Sequence, residues 1–93
     1  MSRELVNACK RGELDEVKRL IGCGADVHYD NDWSLRRACA KGHLELVKYL
    51  VGECGADIHV LDDWPLRRAK LNGHPEMVQW IENYDLLKDL RSL

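Results

Sequence analysis

Three stretches of the chain carry the same order of apolar and polar positions. They begin at Leu5, Leu35 and Leu66, and equivalent residues stand 30 positions apart between the first two stretches and 31 apart between the second and third. In each stretch, apolar residues three positions apart define one face of a helix. These pairs are Val17 and Leu20, Val47 and Leu50, and Val78 and Ile81. Repetition at this period predicts stacked supersecondary units rather than one globular core.

Each unit is expected to begin with a short helix, over residues of about 33–41 in the second unit and about 64–72 in the third. Asp32 and Asp63 are the predicted N-caps, because a carboxylate accepts hydrogen bonds from the free N–H groups of a first helical turn. Glycine is expected to end the first helix of every unit, since it adopts the left-handed conformation without steric cost. These glycines are Gly12, Gly42 and Gly73.

A second helix is predicted after each glycine, beginning at Leu14, Leu44 and Pro75. In the first two units, a glycine turn is then predicted to end the second helix and lead into a short extended finger rich in Asp and Asn. The turn sequences are Gly-Ala-Asp-Val-His at 24–28 and Gly-Ala-Asp-Ile-His at 55–59. The predicted fold class is therefore all-α, a helix-turn-helix solenoid of three repeats in a single domain. The repeats are expected at about residues 2–31, 32–62 and 63–84.

The last residues, 85–93, lack the glycine turn and place leucines on one helical face. These leucines are Leu86, Leu87, Leu90 and Leu93. We expect the segment to form a capping helix over the third repeat, because a solenoid must cover its terminal apolar face. The alternative is that the leucine stripe is exposed and pairs with a second copy of the chain, which would make the protein a self-assembling scaffold. A monomer is the expected state.

Length and charge narrow the range of functions. The 93 residues have a formal net charge of −2, so the chain lacks the long-range positive field that is usual in nucleic-acid-binding proteins. We therefore expect no nucleic-acid partner. The alternative, nucleic-acid binding through the Lys and Arg residues of the first helices, is open to a test on heparin resin. Apolar runs are too short for a secretory signal or a bilayer span, so no membrane partner is expected.

The cysteines and histidines recur with the repeat and do not form a chemical motif. Cys9 corresponds to Cys39 and Cys23 to Cys54, which favours reduced thiols in the cytoplasm over a disulfide framework. The four histidines do not form the close-spaced pairs that zinc sites use, and a structural role is predicted for them. No pairing of a nucleophile with a base stands apart from the repeat. We predict no catalytic residue, no metal site and no cofactor, and hence no enzyme.

The repeated residues resemble the ankyrin repeat, whose pattern runs Thr-Pro-Leu-His-x-Ala, then Gly-His, an apolar helix and Gly-Ala-Asp-Val-Asn. The second unit matches this pattern at Leu35, Ala38, Gly42, His43, Leu44, Val47, Leu50, Gly55, Ala56, Asp57 and Ile58. It departs from the pattern at Trp33, which takes the threonine position, and at Arg36, which takes the histidine position. The finger is also shortened. This variant is similar to the ankyrin repeats abundant in giant DNA viruses.

The resemblance implies a non-catalytic protein-protein interaction module that binds a partner protein in the groove formed by the fingers and the first helices. Finger tips and helix ends differ between units while the frame around them repeats. The predicted partner-binding residues are Tyr29, Asp30, Asn31, Arg37, Lys41, Val60, Leu61, Asp62, Arg68, Leu71 and Asn72. We expect a partner that carries both signs of charge and some apolar surface.

Tryptophan and arginine each admit two roles here. Trp33 and Trp64 recur in register, and we interpret them as packing residues at the base of each finger rather than as interface anchors. In the arginine pairs at 36–37 and 67–68, the first arginine is expected to bond to finger carbonyls or nearby carboxylates. The second arginine of each pair is expected to face solvent or a partner.

Overall fold

The part of the chain that the structure describes forms six α-helices. In this computed structural model the backbone is described for residues 2–91 and the side chains for residues 2–86. The helices are α1 (Ser2–Arg11), α2 (Leu14–Gly22), α3 (Tyr29–Lys41), α4 (Leu44–Gly52), α5 (Val60–Leu71) and α6 (Pro75–Arg91). They pack as three pairs, α1 with α2, α3 with α4 and α5 with α6. The predicted all-α solenoid is confirmed.

The apolar residues that define the repeat form one continuous core. Leu5 in α1 and Leu35 in α3 are fully buried, as are Val47 and Leu50 in α4. Helix α3 packs against α1 on one side and α5 on the other, so the first helices make the main contacts between repeats. Burial of one such side chain contributes about 1.5–3 kcal/mol. A repeat standing alone would leave one side of its helices in water, so each repeat depends on its neighbour.

Glycine ends the first helices as predicted. Gly12, Gly42 and Gly73 have φ angles of 75°, 78° and 73°, in the left-handed region. At the second of these turns, the N–H of His43 donates to the Ala38 carbonyl at 3.0 Å. This bond is typical of a Schellman-type helix end, in which a left-handed residue lets the following N–H reach back to the helix. The chain therefore reverses within two residues and starts the next helix.

The fingers are not extended, contrary to the prediction. Each is one turn of left-handed helix: residues 30–32 have φ angles of 53°, 56° and 54°, and residues 61–63 have φ angles of 52°, 58° and 60°. The ranges of α3 and α5 include these turns. Left-handed geometry costs an L-residue about 1–2 kcal/mol, and Asp and Asn visit it most readily because their side chains bond locally. The Asp and Asn residues of the finger are therefore suited to a left-handed turn.

The predicted N-caps are also wrong, because both aspartates belong to these left-handed turns. One carboxylate oxygen of Asp32 lies 2.6 Å from Nδ1 of His28, and the other accepts a hydrogen bond from the backbone N–H of Asp57 at 3.2 Å. The carboxylate of Asp63 contacts Nδ1 of His59. The turn brings the histidine four residues earlier next to each carboxylate, and this contact replaces the capping bond.

Helix α6 runs from Pro75 to Arg91 without a break, so no turn separates the predicted cap at 85–93 from the third repeat. Leu86 is 62% exposed. The side chains of Leu87, Leu90 and Leu93 lie outside the described residues, and capping and pairing through this stripe both stay predictions. None of the described helices combines the length and apolar character needed to cross a membrane.

Candidate functional site

The site is built on two left-handed turns that arginine holds in place. Nε and an Nη of Arg36 donate to the carbonyl oxygens of Asn31 and Asp30 at 3.1 and 2.9 Å. Arg67 repeats the arrangement, donating to the Asp62 and Leu61 carbonyls at 3.0 and 3.1 Å. A planar guanidinium suits this task because it presents two N–H groups in a fixed fork. The prediction that the first arginine of each pair bonds to finger carbonyls is confirmed.

Consecutive turns are joined by a hydrogen bond across the repeat boundary. The bond from the Asp57 N–H to Asp32 is matched one repeat earlier by a bond from the Asp26 N–H to the Ser2 hydroxyl, also 3.2 Å long. Ser2 stands 30 positions before Asp32 and takes its role. The first left-handed turn is therefore linked to the loop that leads into the second, and α1 is linked to the loop that leads into the first.

His59 joins the last left-handed turn to α6. Its Nδ1 contacts Asp63, and its Nε2 lies 2.8 Å from a carboxylate oxygen of Asp85. The hydrogen bonds to Asp63 and Asp85 raise the pKa of His59 above its ordinary value of 6.5. Both carboxylates favour the imidazolium form, since only that form donates from both nitrogens.

The Gly-His turns, at the C-terminal ends of the first helices, also join successive repeats. Nε2 of His43 lies 2.9 Å from the Lys10 carbonyl, and Nε2 of His74 lies 3.0 Å from the Ala40 carbonyl. Each ring also lies against the glycine that ends the preceding first helix: a Cβ built on Gly12 would come within 2.6 Å of the His43 ring. The structural role predicted for these histidines is confirmed.

The buried thiols carry no reactive chemistry. Cys9 and Cys39 are fully buried, and burial raises the pKa of each to about 12. Both therefore stay protonated near neutral pH and pack as small apolar groups. All four cysteines are free thiols. Among the described residues, no three His, Cys, Asp or Glu side chains are grouped closely enough to hold a metal ion.

A shallow depression between α3 and α5, here called the α3–α5 groove, gathers cationic side chains around a tryptophan. Its lining residues are Arg37, Ala40, Lys41, Trp64, Arg68 and Asn72. The guanidinium carbon of Arg68 lies 5.0 Å from the centre of the Trp64 ring, and that of Arg36 lies 5.4 Å from it. Both distances suit a cation–π contact. Within residues 2–86, Arg37, Lys41 and Arg68 form no ion pair with a carboxylate.

The structure brings five of the predicted site residues together around Trp64. Arg37, Lys41, Arg68 and Asn72 line the groove, and Leu71, which is 75% exposed, lines a smaller depression beside Trp64 and Arg68. Asn72 is partly engaged already, because its side-chain amide donates to the Ala40 carbonyl at 2.8 Å.

The other six predicted residues lie in or beside the left-handed turns. Asp30, Asn31, Leu61 and Asp62 are exposed there. Tyr29 is half-buried, with its ring centre 6.4 Å from that of Trp33. Val60 is only 8% exposed, so its side chain packs in the interior and is not placed to meet a partner.

Sequence reasoning left Trp64 out of the site by interpreting both tryptophans as packing residues. The two differ: Trp33 lies beside Tyr29, whereas Trp64 lines the groove and has two guanidinium groups within cation–π distance of its ring. Residues four apart on a helix are neighbours on its surface, which places Arg68 on the same face as Trp64. Trp33 and Arg37 have the same spacing, so the sequence alone did not distinguish Trp64 from Trp33.

Comparison with known proteins agrees with this architecture. The family model for ankyrin repeats, in three copies, matches residues 5–90. Two ankyrin repeat proteins of Acanthamoeba polyphaga mimivirus are similar to parts of the chain: one is 44% identical over 39 residues, or 42% of the chain, and the other is 38% identical over 47 residues, or 50% of the chain. The matched part spans 8% of the length of each relative. Since the family model covers nearly all of the 93 residues, the chain belongs to the ankyrin repeat family.

Proposed function

We propose that this chain is a non-catalytic module that binds a partner protein through the α3–α5 groove and the two left-handed turns beside it. Ankyrin repeats are generally protein-protein interaction modules. The observation that carries the placement is that Arg37, Lys41 and Arg68 line one groove with Trp64 and form no ion pair among the described residues. We include in the proposal that the module acts as a monomer in the cytoplasm. The free thiols support the cytoplasmic location.

The first arginine of each Arg-Arg pair supports the proposal by contrast with the second. Arg36 and Arg67 are occupied with turn carbonyls in both repeats, so removing them would disturb the fold. Arg37 and Arg68, the next residue in each case, have no such partner in residues 2–86. A charged side chain that forms no ion pair among the described residues and lies beside a half-buried tryptophan is typical of an interface, where Arg and Trp are the commonest anchors. The contact area is small, about 1,200 Å² in total or less, so we expect modest affinity.

The test is affinity capture from cells that express the chain naturally, with two double variants that change the same residue types. Lys41→Ala with Leu71→Ala alters the groove region, and Lys48→Ala with Leu86→Ala removes a lysine and an exposed leucine elsewhere. We expect a partner protein that the native chain and the second variant retain and that the first variant loses. Equal retention by both variants would refute the groove as the binding site.

A second candidate function is self-assembly through the C-terminal leucines. The exposed Leu86 favours it, because this side chain lies with Val78 and Pro75 along an open depression on the outer side of the third repeat. Light scattering at micromolar concentration separates the two functions. A concentration-dependent dimer that Leu86→Glu abolishes would support assembly, whereas a strict monomer would remove it.

A further inference from the structure

The α3–α5 groove has a local charge that the composition of the chain does not suggest. The whole chain has a net charge of −2, yet the residues that line the groove include three cations, Arg37, Lys41 and Arg68, and no carboxylate. Like charges in one depression repel one another, and an anion placed among them offsets that repulsion because all three cations attract it. The groove is therefore poised for a negatively charged ligand group.

Trp64 prepares one of these cations for binding. The Arg68 guanidinium is held over the indole ring at 5.0 Å, which restricts its motion and leaves its N–H edge open. Among the described residues that edge donates no hydrogen bond, in contrast to Arg36, which lies near the same ring but is committed to the Asn31 and Asp30 carbonyls. A guanidinium fixed in this way suits a carboxylate, which can accept two of its N–H groups side by side.

Carboxylates on the same two helices argue against a long polyanion. Asp30 and Asp62 are exposed on the left-handed turns at the start of α3 and α5, the helices that carry the three cations. A nucleic acid carries a charge at every nucleotide and would have to run past these carboxylates. A short acidic stretch of polypeptide can place its carboxylates over the three cations alone. The exposed Leu71 beside Trp64 and Arg68 offers the same ligand an apolar contact.

We propose that the partner engages the α3–α5 groove with a short acidic segment, in which Glu or Asp side chains bind Arg37, Lys41 and Arg68 and an apolar side chain lies against Leu71 and the Trp64 ring. The inference rests on the proposed function and specifies the chemistry of the partner. The acidic segment lies across the helices, and the left-handed turns, with Asp30 and Asp62, face a neutral or basic part of the partner.

The probe is a synthetic heptapeptide, Gly-Glu-Glu-Leu-Glu-Glu-Gly, titrated into the isotope-labelled chain and followed by two-dimensional NMR. We expect saturable shifts of the Trp64 indole N–H and of the amides of 37–41 and 68–72. The same peptide with glutamine in place of every glutamate should bind at least about tenfold more weakly, as expected when several accessible charge pairs are lost. Equal binding of the two peptides would overturn the proposal.

Two variants with the same change of net charge locate the site. Arg37→Gln with Arg68→Gln should weaken the acidic peptide about tenfold by removing two charge pairs. Arg19→Gln with Lys48→Gln removes two cations from α2 and α4, where they pair with Glu16 and Glu45, and should leave affinity within about twofold. Thermal unfolding by circular dichroism verifies that each variant is folded. Equal weakening by both variants would mean nonspecific charge attraction and would refute the groove.

A 12-nucleotide single-stranded DNA is titrated in parallel. Tighter binding of this DNA than of the acidic peptide, with loss in the Arg37→Gln and Arg68→Gln variant, would assign the cations to nucleic acid and overturn the proposal. Failure here is distinct from failure of the proposed function. If a captured protein depends on Lys41 and Leu71 but the acidic peptide does not bind, only the acidic-segment inference falls. If the peptide binds but no protein depends on the groove, the module proposal falls instead.

Discussion

The two arginines of each Arg-Arg pair are neighbours in sequence and have opposite roles. Arg36 and Arg67 fix the left-handed turns by bonding to two carbonyls each, whereas Arg37 and Arg68 point into the groove with no carboxylate partner in residues 2–86. Successive residues on a helix point about 100° apart, so one side chain reaches back to the turn and the next faces outward. In each pair, therefore, the arginine that holds the turn and the arginine that lines the groove are adjacent residues.

The same contrast between an engaged and an open position exists at the glycine turns. Gly42 and Gly73 have nearly the same φ, 78° and 73°. A Cβ on Gly42 would come within 2.7 Å of the His74 ring, whereas a Cβ on Gly73 would meet nothing within 4 Å. The His74 ring cannot simply move, because its Nε2 is bonded to the Ala40 carbonyl. These two glycines therefore form a matched pair that separates backbone strain from crowding between repeats.

The largest predicted effect is that Gly42→Ala costs about 2–4 kcal/mol of the free energy of unfolding, of which about 1 kcal/mol is left-handed strain and about 1–3 kcal/mol is crowding of the His74 ring. Gly73→Ala should cost only the strain, about 1 kcal/mol. Urea unfolding followed by circular dichroism measures both. If the two variants lose the same stability, the histidine does not hold the repeats together as the geometry indicates.

Sequence reasoning predicted the helices, the core and the glycine turns because these features recur in every unit. The period of Leu35, Leu50 and their counterparts predicted the helices and the core, and Gly42 with its counterparts predicted the turns. The left-handed turns were missed because Asp and Asn favour several loop conformations, and only the three-dimensional position of Arg36 selects one of them. Trp64 was missed for a related reason, since its cationic neighbours come from α3 as well as from α5.

A smaller effect is predicted for the arginine pair itself. Arg36→Lys should cost about 1 kcal/mol, because an ammonium group cannot hold both turn carbonyls in one plane and loses one net hydrogen bond. Arg37→Lys, the matched control one residue along, should change the free energy of unfolding by less than about 0.5 kcal/mol, as is usual for a surface position. Urea unfolding of both variants tests the division of roles. Equal losses of stability would show that the two adjacent arginines do not differ in role, one holding the turn and the other lying at the surface.

The smallest effect concerns the turn that differs most between the repeats. Among the described residues, the ring of His28 bonds only to Asp32, whereas the ring of His59 contacts both Asp63 and Asp85. Because these carboxylates raise the pKa of His59, its contribution to stability is fully present below its ordinary pKa of 6.5 and is lost as the pH rises through the higher pKa of the folded chain. Since the ring is half exposed, solvent screening limits this contribution to less than about 1 kcal/mol.

The measurement is the difference in free energy of unfolding between the native chain and His59→Gln, followed from pH 5.5 to pH 8.5. This difference should be largest at the acidic end and shrink as the pH rises, and 1 M NaCl should reduce it because salt screens exposed charges. Asp85→Asn removes one of the two carboxylates and should remove part of the pH dependence. A difference that grows toward high pH would mean that the neutral imidazole is the stabilising form, and the last turn would then be held to α6 by packing rather than by charge.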